Sequence, residues 1–422
     1  MPFPSRLPRF LAILTILACT APAHPVTNAA STTGRLPTPL NATFTVGSQV
    51  FKLIDDSRTD PFNSTEKRAV AITAYYPSAG QGGGTCPDGA DFAPYMPTAM
   101  AGLLDRALGI PSGALESVLT DTCLGAPAVS SDQRNLIVMS TGLGLCRYMS
   151  CLSYLLSDLH YLGASRLVYQ TYTIALAAHG YVVIGINHPY DADIVEYPDG
   201  RLVFAAPLNL SDPTVIPSIV WVRTKDVQFV LDQVCNNADL TLGIPVDCGV
   251  QKVGMFGHSL GGATAADMTI IDQRVAGGGN LDGTFFPIQS RPDVSPDTPF
   301  LVIAAEGHNA TIDPTYGDWF KTPTANSAKR LMATVKGTKH LTFTDFPVLL
   351  DVFEVPRSDL LADEAAELGT IDGLRISEIL QVVLNAWFDL ILKGDTTAVE
   401  DLLKHGSEKY PEVGLAQGQG TA

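Results

Sequence analysis

Six residues, Gly257-His258-Ser259-Leu260-Gly261-Gly262, constrain this chain more than any other stretch. The β-like run Lys252-Val253-Gly254-Met255-Phe256 leads into them, and small residues from Ala263 to Ile271 carry on as a helical stretch. A G-x-S-x-G pattern set between a strand and a helix predicts a sharp turn that presents the serine hydroxyl at a strained backbone position. Glycines two residues to either side let neighbouring backbone pass without a Cβ clash. The pattern alone recurs by chance; its flanks make it informative.

Strands and helices alternate on both sides of that turn. Residues 43–53 and 68–76 read as early strands, a hairpin at the sheet edge, and 135–139 as a buried strand leading into Ser140-Thr141-Gly142-Leu143-Gly144. A helical stretch over 167–179 stops at Gly180, and 181–186 is the next strand. Ser218 can cap a helix whose Val227, Val230, Leu231 and Val234 fall at helical spacing. Residues 275–282 and 300–305 supply later strands, and 376–392 a final amphipathic helix. Short apolar strands alternating with helices predict an α/β fold, a mostly parallel sheet covered by helices on both faces.

Residues 44–395 form the expected catalytic domain, with insertions at 81–130 and 196–217 that break the rhythm. Both insertions are candidate lids or substrate walls, or plain structural additions. In the first, Met96, Met100, Leu103 and Leu104 are read as an apolar wall near the site or toward a lipid surface. Residues 24–43, rich in Pro, Thr, Ser and Ala, read as a flexible leader, and 396–422 as a C-terminal tail.

The N-terminus has the form of a secretory signal peptide over residues 1–23. Arg6 and Arg9 precede an apolar run, and Ala21-Pro22-Ala23 offers a small-residue cleavage site. Four N-x-S/T sequons, at Asn41, Asn63, Asn209 and Asn309, fit a secreted, extracellular glycoprotein. Loss of Cys19 with the signal leaves Cys86, Cys123, Cys146, Cys151, Cys235 and Cys248, which admit fifteen pairings. Cys86 with Cys123 would staple the first insertion and Cys235 with Cys248 would close a short loop, leaving Cys146 with Cys151. Net charge is −16, and −18 without Arg6 and Arg9. That acidity argues against a nucleic-acid partner and against strong attraction to anionic membranes. No C-x-x-C or H-E-x-x-H motif is present, so no metal and no cofactor is expected.

An exposed serine acts as a nucleophile only with a base to take its proton, an acid to orient the base, and donors for the oxyanion. In α/β-hydrolases the chain order is Ser, acid, His. Beyond Ser259 lie His308, His340 and His405. His405 sits in a charged terminal region, and His308 lies on the loop after Ala305, where an acid is more usual. His340 follows a strand-like Met332–Val335 stretch, where this fold puts its base. His258 reads as packing beside the nucleophile. For the acid, Asp282, Asp313 and Glu306 are all candidates, and topology alone leans to Asp313.

The segments Asn280-Leu281-Asp282-Gly283-Thr284-Phe285-Phe286-Pro287 and Lys339-His340-Leu341-Thr342-Phe343-Thr344-Asp345-Phe346 tip the choice. With the serine turn they resemble the platelet-activating factor acetylhydrolase family, the secreted lipoprotein-associated phospholipase A2 type. Thr141-Gly142-Leu143-Gly144 and Ala178-His179-Gly180-Tyr181-Val182-Val183 resemble two further segments of it, so the likeness runs from about Ala69 to Phe346. The resemblance implies Ser259 as nucleophile, Asp282 as acid, His340 as base, and the N–H groups of Leu143 and Leu260 as oxyanion hole. Thr141 and Leu260 depart from the family's His and aromatic residue at those places.

By resemblance the expected reaction is hydrolysis of short sn-2 acyl groups of phospholipids through an acyl-enzyme, in a fungal secreted member. Its partner is an ester or phospholipid substrate, with transient lipid-surface contact; oligomeric state is open. Two rivals stand beside it: a cutinase- or polyester-hydrolase-like esterase using Asp313, and a catalytically silent binding protein on the same fold.

Overall fold

The computed structural model describes residues 34–87, 89–108, 110–129, 132–144, 165–286, 298–321, 330–360 and 362–417. The signal peptide, residues 24–33, Cys146 and Cys151 lie outside the described residues.

Before the serine turn the strands are β1 (Phe44–Thr59), β2 (Lys67–Gln81), β3 (Phe92–Pro94), β4 (Leu119–Leu124), β5 (Arg134–Ser140), β6 (Val182–Asn187), β7 (Ile194–Glu196), β8 (Leu202–Phe204) and β9 (Val246–Asp247). The turn closes β10 (Val253–His258), and β11 (Val275–Leu281), β12 (Phe300–Ala305), β13 (Arg330–Val335) and β14 (Val413–Gln417) follow. The helices are α1 (Thr98–Leu108), α2 (Ala114–Ser117), α3 (Gln170–Ala178), α4 (Val215–Asn236), α5 (Leu260–Ile271), α6 (Pro314–Lys321), α7 (Phe346–Val352), α8 (Ala362–Leu368), α9 (Gly373–Phe388) and α10 (Thr397–Lys409).

Twelve strands form one sheet in the order β14-β13-β12-β11-β10-β5-β6-β2-β1-β4-β3, with β9 alongside β5. The run from β13 to β6 is parallel throughout. Side-chain alternation explains why consecutive apolar residues recur in its strands, since both faces are covered. In β5, Leu136 and Val138 join the core on one face while Ile137 and Met139 join the other. Helices α3, α7 and α9 cover one face, and α4, α5 and α6 cover the opposite one. This is the α/β-hydrolase architecture, with the serine turn at the carboxyl end of a central parallel strand.

Several expected boundaries move. The β1–β2 hairpin is interior, because β4 and β3 from the 81–130 insertion extend the sheet beyond it. Met96, Met100 and Leu104 of that insertion are buried in the main core, so they form packing and not an exposed apolar wall. The 196–217 insertion is the β7–β8 hairpin plus the approach to α4. Helix α4 begins at Val215, ahead of Ser218; Pro217 is tolerated in a first turn whose N–H groups have no helical partner. The packed body starts inside the expected leader: Leu36 is buried and its N–H donates to the Leu119 carbonyl. The expected tail is α10 followed by β14, which pairs antiparallel with β13.

Among the described residues, disulfides join Cys86 to Cys123 and Cys235 to Cys248, spanning 37 and 13 residues. The first links the start of the insertion to β4, and by loop-closure entropy should contribute about 4 kcal/mol. Cys86→Ser combined with Cys123→Ser is therefore expected to lower the unfolding free energy by a few kcal/mol. Urea titration of the double variant beside wild type checks this; an unchanged midpoint would remove the disulfide from the stability argument.

Candidate active site

Ser259 stands at the junction of β10 and α5 with φ 54° and ψ −122°, a conformation no regular element uses. Tight packing enforces it: a Cβ on Gly257 would overlap the Gly261 carbonyl, and one on Gly261 would overlap the Ser140 carbonyl. The Ser259 N–H donates to the Leu281 carbonyl at 2.8 Å, tying the turn to the end of β11. Asp282, the next residue along that strand, also has positive φ, 55°, and its N–H donates to the Ile303 carbonyl at 2.8 Å. Strand ends β10, β11 and β12 are thus fixed side by side, each by a backbone bond to the next.

The sequence-predicted trio meets here. The Ser259 hydroxyl donates to His340 Nε2 across 3.0 Å, and His340 Nδ1–H donates to Asp282 Oδ2 across 2.7 Å. Asp282 is buried, while Ser259 and His340 are partly exposed. Burial alone would raise the Asp282 carboxyl's pKa, but hydrogen bonds from His308 and His340 and from the Ala305 N–H hold it well below the usual carboxylate range.

Asp313 does not reach His340. Its Oδ2 lies 3.3 Å from His308 Nε2, and His308 Nδ1 lies 2.7 Å from Asp282 Oδ1. The two candidate acids therefore share a second histidine. Glu306 is exposed and its carboxylate accepts the Gly337 N–H. His405 lies on α10 beside Glu408.

His258 ties the base loop to the loop carrying Leu143. Its Nε2–H donates to the His340 carbonyl at 3.0 Å, so Nδ1 is the acceptor for the Tyr169 hydroxyl at 2.9 Å. Tyr169 in turn accepts the Gly142 N–H at 3.2 Å. Burial pushes His258 down to about 3, which keeps it in this neutral tautomer.

The Leu143 loop is gripped from below by Arg223, fully buried on α4. Its guanidinium pairs with Asp191 through two 2.8 Å bonds and donates to the carbonyls of Thr141 and Gly142. In a trans peptide the N–H opposes the C=O, so the Leu143 N–H is turned away from Arg223. Gly142 passes close enough that a Cβ there would lie 3.5 Å from the Ser259 Cβ. The Leu260 N–H opens α5, where the helix end favours negative charge. Leu143 and Leu260 also belong to a small apolar cluster with Phe62, Leu208, Ile216 and Phe286.

A second Ser–His–Asp chain lies beneath. Ser140, His188 and Asp226 are linked at 3.0 Å each, all 0% exposed, with Arg68 bonded to Asp226 in the same interior. Charged groups at such depth persist only when paired, and Arg68 supplies the pairing.

Residues 234–354 match the family model for platelet-activating factor acetylhydrolase, isoform II. Over that stretch the chain is similar to the platelet-activating factor acetylhydrolases. A probable 1-alkyl-2-acetylglycerophosphocholine esterase from Arthroderma benhamiae is 29% identical over 255 residues, 59% of this chain and 62% of that protein. A platelet-activating factor acetylhydrolase from Cavia porcellus is 28% identical over 211 residues, 44% of this chain and 47% of that protein. The chain thus spans about half to three-fifths of the length of these relatives. Among solved structures, a ferulic acid esterase from Streptomyces cinnamoneus superposes with a TM-score of 0.72 at 27% identity, covering 91% of this chain and 99% of that one.

The acetylhydrolase match contains Ser259, Asp282, His308, Asp313 and His340, whereas Gly142, Tyr169, Asp191 and Arg223 lie upstream of it. Sequence reasoning missed the roles of His308, Tyr169 and Arg223. Only His308 left a usable trace, a histidine five residues before an acid on a strand-end loop. The His340 segment is anchored by Asp345, which accepts the N–H groups of Gln170 and Thr171 at 2.7 and 3.1 Å and so caps α3.

Tyr169→Phe removes the one hydroxyl that serves both the Gly142 N–H and His258 Nδ1. Leaving two buried polar groups unpaired should cost about 1–3 kcal/mol. Chemical denaturation measures it, and a variant as stable as wild type would mean that water replaces the hydroxyl without loss.

Proposed function

We propose that the protein is a secreted serine esterase that hydrolyses carboxylic esters through an acyl-enzyme, with short sn-2 acyl groups of phospholipids as its substrate class. The observation that carries the reading is the unbroken chain from the Ser259 hydroxyl through His340 to the buried Asp282. The names of the relatives supply the substrate class. Acidic composition and apolar residues beside Leu143 and Leu260 suit an uncharged acyl group better than a polyanion.

In this reading His340 Nε2 takes the hydroxyl proton as Ser259 Oγ attacks the ester carbonyl carbon. Charge develops on the carbonyl oxygen and is met by the N–H groups of Leu143 and Leu260. His340 then gives its proton to the departing alcohol oxygen, leaving Ser259 acylated. Water enters, His340 takes its proton, and the carboxylic acid leaves as Ser259 regains a hydrogen. Asp282 holds the tautomer of His340 that keeps Nε2 free to accept, and steadies the imidazolium in both halves.

The signal-like residues 1–23 and the two disulfides support secretion. Asn41, Asn209 and Asn309 are exposed and are the proposed glycan acceptors; the Asn63 amide nitrogen already donates to the Tyr190 hydroxyl. Contact with a lipid surface is transient on this reading, since the net charge gives anionic lipid no pull.

The ferulic acid esterase likeness favours a second reading, a polyester- or plant-ester-directed esterase of broader range. Comparing an sn-2-acetyl phospholipid with a polyester film and a soluble aryl ester separates the two. Preference for the phospholipid supports the first reading, and turnover of film or aryl ester alone replaces it.

Ser259→Ala is expected to remove at least about 10³-fold of esterase activity while the protein still folds. Asp282→Asn should cost on the order of 10³–10⁴-fold, because an asparagine can hold the wrong imidazole tautomer. Asp313→Asn should cost far less. Steady-state rates of the three variants decide it, and a dead Asp313→Asn beside a live Asp282→Asn would overturn the assignment of the acid.

A further inference from the structure

His308 has an acidic acceptor on each ring nitrogen, Asp282 Oδ1 at 2.7 Å and Asp313 Oδ2 at 3.3 Å. A neutral imidazole carries one N–H and would turn a lone pair toward one of those carboxylates. Both acids are further committed as acceptors, Asp282 to the Ala305 N–H and Asp313 to the N–H and hydroxyl of Thr315. Acceptors of that kind are ionised, so only an imidazolium satisfies both ends. Tyr316 stacks on its face with ring centroids 4.6 Å apart.

We propose that His308 is a positioning residue for the reaction, held as an imidazolium between Asp282 and Asp313, where it fixes the triad carboxylate and offsets part of its charge. The inference rests on the reading of Ser259, His340 and Asp282 as the triad. Its chemistry is electrostatic: His340 and His308 compete for the same negative charge, one oxygen of Asp282 each, and a standing positive charge on one opposes protonation of the other.

The remaining groups facing this arrangement do not cancel it. Tyr316 on α6 stays neutral, because burial pushes its hydroxyl well above the ordinary value. Glu306, on the loop after β12, turns to the Gly337 N–H. On the far side, His258 packs against His340 with ring centroids 4.5 Å apart and is neutral. The hydrogen bond to Asp282 raises the His308 pKa above the ordinary imidazole value, the direction the geometry requires.

The test is the pH profile of kcat/KM on a soluble ester for wild type and His308→Gln, with ring-proton NMR titration of the histidines in the full-length wild-type protein and in Asp313→Asn. In His308→Gln the acid limb should move to higher pH by about half to one unit. Its plateau kcat should fall about tenfold with KM unchanged, since His308 orients the acid and does not touch substrate. In the wild-type titration His308 should lose its proton above the ordinary histidine range, and Asp313→Asn should bring that event down. An acid limb that stays put or moves lower in His308→Gln overturns the proposal, as does a neutral His308 at pH 6 in wild type. Absence of esterase activity in wild type would instead defeat the functional reading, and the titration would still decide the charge of His308.

Discussion

Asp282 is the group on which the site's geometry converges, since both carboxylate oxygens are committed to histidines on different strand-end loops. It can serve both because β11 lies between the strand that ends at Ser259 and the strand whose loop carries His308. Its own backbone, at φ 55°, is bent out of the strand. Backbone bonds from Ser259 to Leu281 and from Asp282 to Ile303 keep serine and acid in register before any side chain takes part. In a low-dielectric interior such fixed groups act without reorganising, which is what gives preorganised sites their advantage over water.

The second constraint is orientation of backbone N–H groups, which no side-chain motif can specify. Arg223 holds two successive carbonyls of the 141–144 loop, and the Asp191 carboxylate neutralises it at 0% exposure. From above, the Tyr169 hydroxyl links that loop to His258 and so to the backbone of His340. Loop and base are therefore mechanically one unit, with every hydrogen-bond role filled in a single direction.

Legibility in the sequence followed local pattern. Parallel strands buried on both faces announce themselves as apolar runs, so β5, β6, β10, β11 and β12 were readable. The serine turn and the His340 segment were readable because tight turns and caps demand particular residues nearby in sequence. Elements whose stability is tertiary were not: β14 pairs with β13 across some eighty residues, and the 81–130 insertion read as a wall or a structural addition, although Met96 and Met100 are core. Topology alone leaned to Asp313, because it cannot say which histidine an acid faces, and the local segment around Asp282 tipped the choice. The Arg223–Asp191 pair was invisible because 32 residues separate partners that meet only once α4 packs on the sheet.

The buried Ser140–His188–Asp226 chain gives this molecule its own internal control. Both trios show serine to histidine to aspartate at hydrogen-bond distance, yet Ser140 ends a regular strand with no exposed atom, whereas Ser259 protrudes from a bent backbone. Distances alone cannot rank them. What separates the two hydroxyls here is an approach path and the curvature of the main chain, and a search for such trios by interatomic spacing would return both from the same fold.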